Sequence, residues 1–257
     1  MLELKNVSKS FQDKKVFDKF KLTVDKNDFI TIIGSNGAGK STLLNLISGE
    51  LSVDQGVISL NGDDITHLKA YKKAKKMSRV FQKPLLGTSP SLTIIENLSI
   101  ILAKRTGFGL RYAVKKKNID YFKSLLKPLN LGLENQLNTK VGLLSGGQKQ
   151  ALSLIMATLS KPQLLLLDEH TAALDPETAK IILELTKNLV EKQEITTLMI
   201  THNLNDAITY GNRLIMLDKG KALLDIHGKE KQSLTSNDLL NLFKQAKSNI
   251  SSETFFS

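Results

Sequence analysis

Three short stretches of this 257-residue chain hold side chains spaced for chemistry. The first is "GSNGAGKST" (34–42), which fits the pattern G-x-x-x-x-G-K-[ST]. Glycines at 34, 37 and 39 let the backbone wrap closely around an anion, so that Ser35, Asn36, Gly37, Ala38, Gly39 and Thr42 line it. Lys40 is placed to reach the outer phosphates of a nucleotide, and the Ser41 hydroxyl to ligate Mg²⁺. A glycine turn before a helix is the plainer alternative. It loses to phosphate binding because the motif lies between an apolar run and a helical pattern.

The second stretch, "LLLLDEHTAALD" (164–175), sets Asp168, Glu169, His170 and Asp175 after an apolar strand. Alone, such a pair of carboxylates is often only a strand meeting solvent. Coupled to a phosphate loop, Asp168 is expected to hold Mg²⁺ and Glu169 to accept a proton from an attacking water. His170 has no cysteine and only three other histidines in the chain as metal partners, so it reads as a local structural variant of the turn. The third stretch, "LLSGGQKQALSLIMATL" (143–159), places Ser145, Gly146 and Gly147 before an apolar-faced helix. It is either a second anion-binding loop or a simple helix cap.

The surrounding elements must position these groups. "FKLTV" (20–24) alternates, a turn follows at 26–28, and "FITII" (29–33) is a nearly continuous apolar run, as expected for a strand covered on both faces. "STLLNLISG" (41–49) has helical spacing and ends on glycine, and "GVISLNGDD" (56–64) reads as a strand and hairpin turn. From about 84 to 159 the apolar spacing is helical. Strands return at "QLLLLD" (163–168), "TTLMIT" (196–201) and "RLIMLD" (213–218), with helices at 176–191, 204–210 and 236–247 and a loose tail at 248–257. Alternating strands and helices predict an α/β fold with a mainly parallel sheet, an antiparallel β portion and an inserted helical subdomain.

Composition narrows the function classes. Zero cysteines remove disulfides and thiol catalysis, and no apolar run approaches the roughly 20 residues that span a bilayer. A net charge of +11 suits phosphorylated ligands, nucleic acid or an anionic membrane surface. Its lysine clusters, "KAYKKAKK" (69–76) and "VKKKN" (114–118), are also compatible with a solvated surface.

The phosphate loop, "LSGGQ" and "LLLLDE" in this order, followed by "LMITHN", resemble the ATP-binding cassette (ABC) ATPases from about residue 2 to 226. The resemblance implies a P-loop core at 1–82 and 160–229, a helical subdomain at 83–159 carrying the signature, and a C-terminal helix and tail at 230–257. By the same resemblance Phe11 stacks on adenine. Gln82 touches Mg²⁺ and the attacking water, and His202 contacts the γ-phosphate. Ser145, Gly146, Gly147, Gln148 and Asp175 act in trans on a nucleotide held by a second copy of the chain. ATP and Mg²⁺ are the implied cofactors. The partners implied are permease subunits docking near Gln82–Asn97 and an extracytoplasmic substrate-binding protein. The location implied is the cytoplasmic face of the membrane. Proline is the usual family residue where His170 stands. "DEHTAALD" is similar to a bacterial subgroup of tryptophan- and tyrosine-type amino-acid importers. The alternative is a soluble ABC ATPase acting on nucleic acid or ribosomes. Such proteins carry two cassettes or a long coiled-coil insertion, neither of which is seen here, so no nucleic-acid partner is expected.

Overall fold

The computed structural model describes residues 1–12, 14–106 and 118–253. Most of the lysine cluster at 114–118 therefore lies outside the described residues. In chain order the elements begin with β1 (Leu2–Phe11), β2 (Lys14–Val24), β3 (Phe29–Gly34), α1 (Lys40–Ser48), β4 (Gln55–Leu60), β5 (Asp63–Asp64) and α2 (Ala70–Lys73). They continue through β6 (Met77–Val80), α3 (Ile94–Thr106), α4 (Ile119–Leu126), α5 (Gly146–Leu159), β7 (Leu164–Asp168) and α6 (Pro176–Gln193). The last are β8 (Thr196–Ile200), α7 (Leu204–Thr209), β9 (Arg213–Asp218), β10 (Lys221–His227), α8 (Gly228–Ser233) and α9 (Ser236–Glu253). The chain divides into two compact units, residues 1–77 with 195–257, and residues 78–194.

The first unit contains two kinds of sheet. One is a four-stranded antiparallel sheet in the order β2-β1-β4-β5. In β2, Phe20, Leu22 and Val24 are buried while the residues between them are exposed, as their alternation predicts. Asn61 and Gly62 both take positive φ in the two-residue turn between β4 and β5, the requirement of a tight hairpin. The other sheet runs β10-β9-β3-β8, with β3 parallel to both neighbours and β10 an antiparallel edge. Strand β3 is buried along its apolar length, and Ile33 packs with Ala207, Leu214, Met216 and Leu239. Each fully buried Leu or Ile of such a core contributes roughly 1.5–3 kcal/mol.

The second unit holds β6 and β7 side by side, together with α3 to α6. It thus includes the segment read as a helical insertion and, in addition, β7 and α6. Helix α5 is buried over almost its whole circumference from Gln150 to Leu159 and forms the centre of a core with Leu98, Phe122, Leu126 and Ile182. That pattern marks an interior helix rather than an amphipathic surface one. Helix α6 instead buries a stripe, Ile182, Leu183, Thr186 and Val190, at helical spacing.

One expected element differs. The tail read as loose from 248 is helical as far as Glu253 in α9, and 254–257 lie outside the described residues. No glycine or proline interrupts 236–253, so nothing in the backbone chemistry stops the helix at 247.

Candidate functional site

In the first unit the phosphate loop joins the buried strand β3 to α1. Gly39 caps α1 with φ 104° and without a side-chain hydrogen bond, so no side chain caps the first turn of the helix, the place where an anion can be held. A Cβ at Gly39 would lie 2.9 Å from the Phe17 ring, which makes glycine a requirement on both counts. Lys40 is buried, and its ammonium donates to the carbonyls of Gly34 (2.7 Å) and Ser35 (3.2 Å). A phosphate entering the loop competes for these same donors. Ala38 N–H donates to Ser35 O at 3.1 Å, and the loop after β9 returns to it through Gly220 N–H to Ala38 O at 3.1 Å.

His202 follows β8, whose neighbour is β3, so it sits at the same carboxyl end of the parallel strands as the phosphate loop. Thr201 N–H donates to Ile32 O at 3.1 Å, and Asn203 caps α7 with its side-chain oxygen, so the exposed imidazole is flanked by two anchored residues. Burial pushes the carboxyl of Asp206 up, while nearby His202 acts in the opposite direction. Phe11 ends β1, is 42% exposed, and has the Lys9 ammonium 5.5 Å from its ring centroid. An exposed aromatic face is compatible with stacking on a base.

In the second unit Asp168 ends β7 and its carboxylate receives the guanidinium of Arg79 at 2.5 Å, with both side chains largely buried. Arg79 lies on β6 and also covers the Phe81 ring at 4.8 Å. Gln82 follows, exposed, in the loop beyond β6. Glu169 takes φ 45°, a left-handed conformation unusual for a residue with a side chain, and its carbonyl accepts from Ala172 N–H at 3.0 Å. His170 turns inward, 2% exposed, with Nε2 3.1 Å from the Thr186 hydroxyl. Burial pushes its imidazole down to about 4, so the ring is neutral at physiological pH. Asp175 is exposed and caps α6, accepting from Thr178 N–H at 3.0 Å, and that backbone bond holds its carboxyl below the usual range.

Ser145 caps α5 in a complete capping box: its hydroxyl accepts from Gln148 N–H at 3.2 Å, and Gln148 Oε1 accepts from Ser145 N–H at 3.1 Å. The Gln148 amide also donates to Leu131 O at 3.0 Å, which commits both ends of that side chain within the unit. Gly146 is exposed at the rim. Gly147 is buried against α6, and a Cβ there would meet the Thr178 methyl at 2.4 Å. The signature loop and the Asp175 cap are therefore neighbours, brought together at one corner of the second unit.

Three residues that sequence reasoning did not single out take part. Asp218 ends β9 and accepts from the Ser35 hydroxyl of the phosphate loop at 2.8 Å. Its signal was present, since "RLIMLD" is an apolar strand closed by aspartate, as "LLLLD" is. Arg79 and Thr186 carry no local signal, because each is defined only by the side chain it meets.

A family model described as "ABC transporter" matches residues 17–172. The "Tyrosine transport ATP-binding protein" of Clostridioides difficile (strain R20291) is 48% identical over 251 residues, which is 96% of this chain and 100% of that one. The "Spermidine/putrescine import ATP-binding protein PotA" of Pasteurella multocida (strain Pm70) is 37% identical over 86% of this chain, which spans only 56% of the relative's length. Among solved structures, the dimeric post-hydrolysis state of the ATP-binding cassette MJ0796 bound to ADP and Pi aligns with TM-score 0.74 at 29% identity, covering 88% of this chain and 98% of that one. The ADP conformation of the cassette MJ1267 aligns with TM-score 0.76 at 27% identity, covering 95% and 98%.

Proposed function

The chain belongs to the ABC transporter family as an ATP-binding, ATP-hydrolysing cassette, and we propose that it powers uptake of an amino acid of the tyrosine type. The observation that carries this reading is the similarity to the tyrosine transport protein along that relative's entire length. The polyamine relative is matched over little more than half of its own.

In the mechanism proposed, Ser35 to Thr42 enclose the triphosphate with backbone N–H groups, and Lys40 exchanges the carbonyls of Gly34 and Ser35 for phosphate oxygens. Ser41, in the first unit, and Gln82 and Asp168, in the second, each carry an oxygen that would suit Mg²⁺, and Asp168 already pairs with a cation, the Arg79 guanidinium. Mg²⁺, when bound, neutralises charge developing on the transferred phosphoryl group. Glu169 accepts the proton of the attacking water, Gln82 orients that water, and His202 donates to the γ-phosphate. Phe11 holds the base by stacking.

Two copies of the chain pair head to tail, so that Ser145, Gly146, Gly147, Gln148 and Asp175 of one close over ATP on the other. The dimeric state of the MJ0796 cassette supports this arrangement. Because Gln148 is committed within its own cap, Ser145 and the two glycines carry the direct contact, and Gln148 holds their geometry. Closure excludes water and completes charge neutralisation. Permease subunits dock near residues 82–97, where Leu85 and Leu86 are exposed, and a substrate-binding protein delivers the amino acid. Among the described residues no helix is long and apolar enough to cross a membrane. The permease contact is what holds the chain at the cytoplasmic face.

Reconstitution into proteoliposomes with its permease and binding protein tests the reading. Tyrosine or a related amino acid should stimulate ATP hydrolysis. Stimulation by spermidine instead, or salt-sensitive retention of nucleic acid by the purified chain, would contradict it.

A further inference from the structure

We propose that His170 is a positioning residue, whose buried hydrogen bond to Thr186 fixes the turn that aims the Glu169 carboxylate. The proposal deepens the catalytic reading above and rests on the role given to Glu169.

The direction of the bond follows from what Thr186 can do. A threonine hydroxyl has one hydrogen, and here it goes to Ile182 O at 2.7 Å, the preceding turn of α6. The contact of 3.1 Å with His170 Nε2 is therefore one in which the hydroxyl accepts. The ring must donate from Nε2, which assigns the Nε2–H tautomer of a neutral imidazole. Thr186 belongs to the buried stripe of α6, so its oxygen is presented from the interior and held by its own helix.

Glu169 needs such support. At φ 45° it occupies a region that costs a residue with a Cβ energy and persists only where the surroundings over-determine it. Its carbonyl closes a turn onto Ala172 N–H, and the next side chain along, His170, is anchored 16 residues away in sequence. The far end of the same loop is fixed too, by the Asp175 cap and Pro176 at the start of α6. The two anchor points, Pro176 and Thr186, are ten residues or about 15 Å apart along the helix. Loop 169–175 is thus strapped to α6 at both ends, and the residue placed for the attacking water and the residue placed for the partner copy ride on one rigid element.

The test compares Thr186→Val, which keeps shape and removes the acceptor, with Thr186→Ser, which restores it. Thr186→Val should lower kcat about tenfold while the Kd for a fluorescent ATP analogue changes less than about twofold, and Thr186→Ser should recover turnover. In ¹⁵N spectra the wild-type His170 ring should show a protonated Nε2 and an unprotonated Nδ1. Unchanged kcat in folded Thr186→Val, loss of affinity in step with kcat, or the opposite tautomer each overturns the proposal. If Thr186→Val does not fold, substitutions at His170 carry the comparison. His170→Gln places an N–H donor where Nε2 stood and should retain more turnover than His170→Asn; equal turnover overturns the strap. Glu169→Gln separates the two readings, because wild-type turnover in that variant would remove the general base itself whatever Thr186 does.

Discussion

Two strands of this chain end in the same way and their last residues do different work. Strand β9, "RLIMLD", and strand β7, "LLLLD", are each buried apolar runs closed by an aspartate, one in each compact unit. Asp218 accepts a hydrogen bond from the neutral Ser35 hydroxyl and so pins the first residue after β3. Asp168 is met by a full positive charge, the Arg79 guanidinium, and stands next to Glu169. Pattern alone says "carboxylate at a strand end". The partner decides whether that carboxylate clamps a loop or pairs with a cation.

Substitutions can break the comparison. The largest effect is expected from Asp168→Asn, which should lower kcat by about 10²–10³ by weakening charge neutralisation at the transferred phosphate. Steady-state phosphate release checks it, with Mg²⁺ titration showing weakened metal binding. Next, Lys40→Met removes the charge-assisted donor of the phosphate loop and should cost about 2–3 kcal/mol of ATP binding, roughly 30- to 150-fold in Kd by calorimetry. Asp218→Asn should spare the chemistry and cost about 1 kcal/mol of stability, lowering Tm by roughly 2–4 °C in a thermal scan. A kcat loss at Asp218 as large as that at Asp168 would erase the distinction between the two strand ends.

A pH-dependent effect on stability concerns a buried charge held by a carbonyl. Lys73 is buried beneath α1 with its ammonium on Leu46 O at 3.2 Å, and burial pushes it down to about 8 although Asp64 pulls the other way. Between about 8 and the ordinary 10.5 the unfolded chain holds a proton that the folded chain has shed, so stability rises with pH across that window. Below it the folded state bears the cost of the buried charge. Lys73→Met should flatten part of this rise by about 1–2 kcal/mol in urea melts at pH 7.5 and 10. Lys231, also buried and pushed down to about 8, supplies another part.

The phosphate loop was legible because local spacing prescribes its backbone chemistry, whereas the signature and "LLLLDE" gained meaning only from their order along the chain and the resemblance it carries. Also legible were β3, β7 and α5, in which apolar residues predominate. Strand β1 was not. Its alternation Leu2, Leu4 slips at Asn6, which takes φ 50°, and register shifts against β2 interrupt the period of two. Strand β10 is hidden in the same way, by a register shift between Ala222 and Leu224 on an edge strand. His170 read as a bland variant because its partner lies 16 residues on, inside a helix whose stripe otherwise looks purely apolar. Arg79 was invisible for a related reason: a single basic residue before "VFQ" gains meaning only when β6 lies beside β7.

The central claim, that Glu169 drives ATP hydrolysis across a pair of cassettes, meets its most direct test in one measurement. Glu169→Gln is mixed with Mg²⁺ and ATP, and phosphate release is followed alongside molecular mass in solution. The account predicts a dimer that retains ATP and releases phosphate at background rate. A monomer, or phosphate released at the wild-type rate, would contradict it.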